Sequence, residues 1–301
     1  MNNRKVTTVI DSEKCSGCGL CINVCPSETL SLKNGIAIVT GDTSLSCGHC
    51  MAVCPEGAVM VGGIDDNSTQ FETFSLNKRW LGFDKFPTSD LARLIASRRS
   101  CRNFSKKPVE LQKLKDLIKL STFAPSGTNS QKWTFTCLTS RDQVLQLVQL
   151  IGNFFKKLNK KSESKFLRTV LKLLGNSKLE SYFIEYYEPV TEAINDMENN
   201  GIDRLFHGAT ACILVGSSPG ASCPKEDAIL AAGNILLAAH TMGLGSCMIG
   251  FAHEAMKNDS SIAKKINIPD YEKIHAVIAL GYPNEMYQSI TGRKKPVTRF
   301  I

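Results

Sequence analysis

The sequence predicts an α+β protein in two parts, a small cysteine-rich unit followed by a larger region of helices and buried strands. Three observations carry this. Seven of the twelve cysteines fall in the first 54 residues, at regular spacing. Beyond residue 88 the chain alternates segments of helical period with short, wholly apolar runs of strand length, such as Ala211 to Gly216 and His275 to Leu280. The length of 301 residues allows two domains or one large one, with enough chain to bury a substantial core.

The first unit spans residues 1–61. It carries Cys15-x-x-Cys18-x-x-Cys21-x-x-x-Cys25-Pro26 and then Cys47-x-x-Cys50-x-x-x-Cys54-Pro55. This spacing wraps a chain around cubane iron–sulfur clusters, the fourth cysteine of each run reaching across to the other cluster. Zinc sites use C-x-x-C pairs set far apart, so they do not explain consecutive steps that end in Cys-Pro. Under the crossed rule one 4Fe–4S cluster takes Cys15, Cys18, Cys21 and Cys54. The second takes Cys47, Cys50 and Cys25, and Ser44 stands where its fourth thiolate belongs. Three outcomes are open. Ser44 ligates through oxygen and completes a 4Fe–4S centre, the site holds 3Fe–4S, or an open iron corner takes water, His49 or Ser46. Val6 to Ile10 and Ala37 to Thr40 read as short strands. A turn of helix is expected after each cysteine run, at Ser27 to Leu30 and at Glu56 to Val59. A unit this small builds little core, so the clusters staple it.

Residues 62–88 form a polar bridge with Phe71, Phe74, Trp80 and Phe83 as anchors, expected to pack along the second region. Thr88 or Ser89 is the expected N-cap of a helix over 89–99. Residues 89–301 read as one domain. Pro108 opens a helix with Leu111, Leu114, Leu117, Ile118 and Leu120 at helical spacing. Trp133 to Thr139 is a strand with Trp133 in the core, and 143–200 is a long, basic helical insert. Lys225 to Met242 is a helix apolar nearly all round, hence central, stopped by a glycine C-cap at Gly243. His240 on this helix reads as a satisfied core histidine. His207 is balanced between a structural role and proton donation.

The formal charge of +8 is partly local, in 156–178 and 293–299. The first of these runs reads as a solvated helix face. No interleaved basic and aromatic motif or recognition helix supports nucleic-acid binding. No apolar stretch reaches membrane-spanning length, and the N-terminus has no signal-peptide core. Cys101, Cys137, Cys212, Cys223 and Cys247, mostly set in apolar runs, read as free, buried thiols in a reducing, cytoplasmic setting.

No G-x-G-x-x-G joins a strand to a helix, so NAD is not held in that manner. Arg98-Arg99-Ser100-Cys101-Arg102-Asn103-Phe104 instead puts three guanidinium forks and a hydroxyl within five positions, a set suited to phosphate oxygens. Joined with Pro125-Ser126-Gly127-Thr128-Asn129-Ser130-Gln131, with Gly243-Leu244-Gly245-Ser246-Cys247 through Gly250, with Leu280-Gly281-Tyr282-Pro283 and with Arg293-Lys294-Lys295-Pro296, it resembles the nitroreductase family of FMN-binding oxidoreductases. The branch is the one with an N-terminal ferredoxin-like domain. Lys132 departs from a proline common at that place in the family.

The resemblance implies a mixed sheet flanked by helices and an FMN in the interface of a homodimer. Arg98, Ser100 and Arg102 hold the phosphate and ribityl chain, with Arg99 beside them and Arg293 and Lys295 adding charge. Pro125, Ser126, Gly127 and Asn129, with Gln131 in the same segment, come from the partner copy and line the isoalloxazine. Ile249 and Gly250 lie near its reactive edge, where backbone N–H groups can donate. No catalytic side chain is expected. The implied activity takes electrons from a reduced ferredoxin or flavodoxin through the clusters to FMN, and on to an organic acceptor such as a nitro compound or quinone. The insert either lids the flavin or serves as a dimer arm. The alternative is an iron–sulfur and flavin redox sensor or electron carrier without turnover.

Overall fold

The computed structural model describes residues 4–301. In the cysteine-rich unit β1 (Thr8–Ile10) pairs antiparallel with β4 (Val59–Val61), and β2 (Leu30–Lys33) with β3 (Ile36–Val39). The helical turns α1 (Leu20–Asn23) and α2 (His49–Val53) lie inside the cysteine runs. The sequence placed them after the runs, where the chain instead turns and enters β2 and β4. Proline explains the correction. Pro26 and Pro55 follow the last cysteines, and a proline pushes the residue before it out of helical backbone; Cys54 is extended, with ψ 114°. Leu30, Ala37, Val59 and Val61 pack with Cys21 and Cys50 into a small core.

In the second region β5 (Trp133–Leu138), β6 (Ala211–Ser217), β7 (Gly245–Met248) and β8 (Lys273–Gly281) form one sheet in the order β5-β6-β8-β7. Every ladder in it is antiparallel, and the parallel contact is an isolated bridge between Ser100 and Ser246. Helices cover both faces. Cys212 and Leu214 of β6 face one core, with α5 (Arg141–Ser162), α8 (Tyr187–Asn200), α10 (Gly250–Asn258) and α11 (Ser260–Lys265). Ala211, Ile213 and Val215 face the other, with α4 (Leu111–Ser121) and α9 (Pro224–Thr241). A sheet buried on both faces needs no polar alternation, which is why β6 and β8 read as unbroken apolar runs. The edge strand β7 has only Gly-Ser-Cys-Met and gave no such signal.

The helices follow local rules with several corrections. α3 (Thr88–Ser97) is preceded by Pro87, and neither Thr88 nor Ser89 caps it. α4 starts at Leu111, three residues after Pro108. α5 opens on a capping box between Ser140 and Gln143, and buries Val144, Leu147, Val148, Ile151 and Phe155 along one face. α6 (Lys165–Leu173) and α7 (Lys178–Glu185) form an outer hairpin before α8. α9 buries Ala228, Ala231, Ala232, Ile235 and Ala239, but Ile229 and Leu230 are 39% and 48% exposed. It is therefore central on one side only, and His240 lies on its exposed side rather than in the core. Gly243, at φ 75°, ends α9 in a Schellman motif, with Leu244 N–H on Ala239 O at 2.8 Å and Gly243 N–H on His240 O at 3.2 Å.

The bridge is anchored at one end. Phe71 and Phe74 stack at 4.4 Å beside α4 and α9, whereas Trp80 and Phe83 are 77% and 88% exposed and touch only each other among the aromatics. The anchor is Asp116 on α4, fully buried. It accepts from Glu72 N–H at 2.8 Å, and from Thr73 N–H and Thr73 Oγ1, both at 2.7 Å. Burial pushes its carboxyl up, but these bonds and Lys119 outweigh burial and hold it below the usual range.

A carboxylate lowered by folding stabilises above its unfolded pKa and loses that contribution as pH falls through the folded value. Protection of the Glu72 and Thr73 amides, measured by hydrogen exchange against intrinsic rates, is therefore expected to hold from neutral pH to about pH 4 and to collapse below it. Asp116→Asn is expected to lower that protection at every pH, by roughly tenfold or more, and to abolish the acid step.

Candidate functional site

The cysteines stand in two crossed sets. Burial, and then the charges of Cys15, Cys18 and Cys54, push the Cys21 thiol up. Burial pushes the Cys50 thiol up, and the charges of Cys25 and Cys47 add to it. Backbone amides point at sulfur in the first set, Ala37 N–H at 3.4 Å from Cys15 Sγ and Ala58 N–H at 3.2 Å from Cys54 Sγ. Such donors offset thiolate charge and tune cluster potentials. Among the described residues no three His, Cys, Asp or Glu side chains are arranged to hold a single metal ion. Cluster thiolates bind different irons and stand further apart, so the donor set fits clusters.

Around the second set a small hollow is lined by Cys25, Cys47, Cys50, Ser44, Ser46 and His49. His49 Nδ1 lies 2.8 Å from Cys47 Sγ, and Ser44 Oγ accepts Ser46 N–H at 3.0 Å. All the groups weighed for the fourth corner thus meet at one place.

The arginine segment is sewn to one end of the sheet. Ser100 bridges Ser246, Cys101 N–H donates to Ser246 O at 3.0 Å, and Ser105 N–H donates to Tyr282 O at 2.8 Å. Glycine is needed at both contacts. A Cβ on Gly245 would stand 2.8 Å from Cys101 Cβ, and one on Gly281 would stand 2.8 Å from the Phe104 ring. Burial pushes the Cys247 thiol up, while Arg102, a bond from Ser100 and Arg98 pull against it. Arg98, Ser100 and Arg102 therefore all lie near enough to act on the Cys247 thiol. Arg99 Nη1 donates to Thr291 Oγ1 at 2.9 Å and draws the tail in; Arg293 and Lys295 themselves stay exposed.

The segment 125–131 is a tight loop with left-handed backbone at Thr128, Asn129 and Gln131 (φ 52°, 53° and 49°). Such backbone is costly outside glycine and persists only when surroundings over-determine it. Asp227, 4% exposed in the first turn of α9, supplies much of that. It accepts Gly127 N–H at 2.8 Å and Ser130 Oγ at 3.3 Å, and its carbonyl accepts Trp133 Nε1 at 3.1 Å. Trp133 is accordingly half-buried against the α9 core. Lys132 leaves the turn intact, its carbonyl accepting Ser218 N–H at 2.9 Å.

These two segments lie far apart within the chain. The loop enters β5 where Trp133 faces Ser217 and Ser217 faces Lys273, whereas the arginine segment joins β7 where Ser246 faces Leu280. Lys273 and Leu280 are seven residues apart on β8, about 24 Å of strand. The segments also sit at opposite sheet edges, β5 and β7. Ile249 N–H is spent on Val277 O at 2.8 Å, which leaves Gly250 N–H, in the first turn of α10, as the donor of that pair without an intrahelical partner.

The insert reaches this neighbourhood. Phe155 and Tyr186 meet Phe251, the residue after Gly250, with ring centroids at 5.6 and 5.7 Å. A cavity of about 640 Å³ lies between α5 and α8 with Phe251 in its wall. His207 is half-buried at φ 57°, and burial holds its ring below the usual histidine range. Of the remaining cysteines, Cys101, Cys212 and Cys247 are buried, and Cys223 is exposed, contrary to expectation. Sequence reasoning missed Asp227 and Arg4. An acid in the first turn of a helix reads as ordinary dipole complementation, so nothing marked Asp227.

Asp227→Ala leaves Gly127 N–H and Ser130 without a partner. It is expected to cost about 2–3 kcal/mol in urea unfolding and to lower flavin retention on gel filtration at least about tenfold. Asp227→Asn keeps the acceptor oxygen and is expected to recover part of both.

The nitroreductase family model matches residues 95–282, more than half of the chain, and a 4Fe–4S binding domain model matches residues 8–31. The chain is 27% identical over 199 residues to an oxygen-insensitive NADPH nitroreductase of Helicobacter acinonychis, covering 62% of this chain and 85% of that protein. It is 26% identical to an iodotyrosine deiodinase of Thermotoga neapolitana, covering 64% and 88%. Thirty-two residues are 50% identical to ferredoxin-2 of Desulfomicrobium norvegicum, covering 11% of this chain and 54% of that one. A Bacteroides fragilis nitroreductase with bound FMN shares the fold at TM-score 0.51 and 18% identity, over 70% of this chain and 98% of that one. Among the described residues no helix is long and apolar enough to cross a membrane. With its arginine segment, its 125–131 loop and its glycine-locked sheet end all inside or beside the matched range, the chain belongs to the nitroreductase family of FMN-dependent oxidoreductases, carrying a ferredoxin-type 4Fe–4S segment at its N-terminus.

Proposed function

We propose that the protein is a homodimeric oxidoreductase that accepts single electrons from a reduced ferredoxin or flavodoxin and delivers pairs to a small organic acceptor. In this reading residues 1–61 are the electron inlet, 62–88 a bridge and 89–301 the flavin region. The observation that carries it is the joining, in one chain, of two cysteine sets to an arginine-rich segment bound at the Ser246 and Tyr282 end of the sheet.

Cys15, Cys18, Cys21 and Cys54 would hold one 4Fe–4S cluster. Cys25, Cys47 and Cys50 would hold a second, 4Fe–4S with Ser44 as fourth ligand or 3Fe–4S without it. Iron–sulfur clusters supply one-electron transfer, and FMN supplies the exchange between single electrons and pairs. Arg98, Ser100 and Arg102 would bind the phosphate of FMN, with Arg99, Arg293 and Lys295 adding positive charge. Pro125, Ser126 and Gly127 would line the ring from the partner copy, and Gly250 N–H would donate to its edge. Ile229 and Leu230 on α9 give the partner an apolar face. The helices α5 to α8, which reach Phe251, would shape the acceptor's space. Nitro compounds and quinones are the proposed acceptors, and a net positive surface favours an acidic electron carrier. The free thiols suit a reducing, cytoplasmic setting.

Anaerobic purification with iron, sulfide and FMN counted per chain tests this together with turnover. About seven or eight irons and one FMN per chain are expected, with reduced ferredoxin driving reduction of a nitro compound or quinone. Full iron without FMN would sink the oxidoreductase reading. Both cofactors without turnover would leave a redox sensor or carrier.

A further inference from the structure

We propose that the second cysteine set is the exit side of the inlet, and that Arg4 and Asn129 are positioning residues that clamp it to the flavin loop. This rests on the cofactor assignment above. Among the described residues, every side-chain hydrogen bond joining 1–61 to 89–301 is made by these two. Arg4 Nη1 donates to Asn129 O at 2.8 Å, and Arg4 Nη2 donates to Thr128 O. Asn129 Nδ2 donates to Leu45 O and to Ser46 O, both at 3.1 Å. Leu45 and Ser46 immediately precede Cys47, and Ser46 and Cys47 line the hollow of the second set. Arg4 also binds that loop through its own carbonyl, which accepts Ser44 N–H at 2.9 Å. The sulfur-directed amides of the first set come instead from Ala37 and Ala58, within the small unit, and its Cys18 is exposed. The first set thus faces an incoming carrier, and the second faces the loop.

Asn129 also changes role. An amide has two N–H donors, and here both are taken by the Leu45 and Ser46 carbonyls, while Oδ1 accepts Gln131 Nε2 at 2.9 Å. Its side chain holds the inlet in place and has no donor left for a flavin. The left-handed loop is then gripped from two sides, by Asp227 behind it and by the cysteine unit in front. The electron balance is simple. Each carrier molecule gives up one electron and is oxidised, and two such electrons with two protons from solvent reduce one FMN.

The test mixes the anaerobic holoenzyme with a reduced low-potential ferredoxin. Cluster reduction is followed by freeze-quench electron paramagnetic resonance, and flavin by bleaching of its visible absorbance. Arg4→Ala is expected to keep wild-type iron, sulfide and FMN contents and wild-type cluster reduction, with flavin bleaching at least about tenfold slower, the fold-change that lost hydrogen bonds give a docking equilibrium. Equal bleaching rates in Arg4→Ala and wild type would overturn the clamp. Cys47→Ala is expected to leave the first cluster's signal and to stop bleaching. Bleaching that survives Cys47→Ala but stops in Cys18→Ala would place the exit at the first set and overturn the inference. Should Cys47→Ala strip both clusters, the Arg4→Ala comparison decides alone. Wild-type flavin that stays oxidised beside fully reduced clusters would be a different failure, that of the proposed function itself.

Discussion

The sheet keeps the arginine segment and the 125–131 loop apart, and the proposed flavin site depends on that separation. The arginine segment is bound at the Ser246 and Leu280 end of the β7 edge, the 125–131 loop at the Ser217 and Lys273 end of the β5 edge. Neither can drift toward the other, because the arginine segment is bonded to Ser246 and Tyr282 and the loop runs directly into β5, all in a sheet buried on both faces. A pocket that needs both must take one half from each of two chains. A two-fold dimer then forms two sites from four halves. The exposed apolar residues of α9, Ile229 and Leu230, make sense as part of the face that brings the copies together.

Strain is concentrated where the function is placed. Three consecutive or near-consecutive non-glycine residues in left-handed backbone are unusual, and they occur in the loop proposed to line the flavin. A loop of that kind keeps its shape only under restraint from outside. Asp227 supplies restraint from the second region, and Arg4, Leu45 and Ser46 supply it from the cysteine unit. The small unit is therefore more than an appended electron carrier. Its docking depends on the shape of the loop, which Asp227 holds from behind when the cysteine unit lets go.

Much of this was legible in the sequence, for reasons that also explain what was not. Covalent and steric requirements leave clear traces: cysteine spacing pointed to the proposed cluster sets, and the arginine fork with its hydroxyl to the proposed phosphate donors. Gly245 and Gly281 stand where a Cβ would strike Cys101 or Phe104. Strands β6 and β8 were visible because burial on both faces leaves a solid apolar run. Strand β7 was invisible because a four-residue edge of small side chains owes its form to its neighbours. The helical turns of the small unit were expected after the cysteine runs but lie inside them, because Pro26 and Pro55 push the residue before them out of helical backbone. His240 was misread because the apolar pattern of α9 includes a face that a single chain does not bury. Asp227 and Arg4 act through contacts 100 and 125 residues away in sequence, and no local pattern records such contacts.

The most direct test of the divided site is complementation between two defective chains. Arg102→Ala removes part of the arginine half, and Gly127→Val crowds the loop half against Cys223. Each variant alone, as a homodimer, should retain little FMN. Co-expressed with different affinity tags and purified as the mixed dimer, they should carry one FMN per dimer, since one site then receives both intact halves. A mixed dimer as empty of FMN as either parent would contradict the account, because it would mean that each chain must build its flavin site alone.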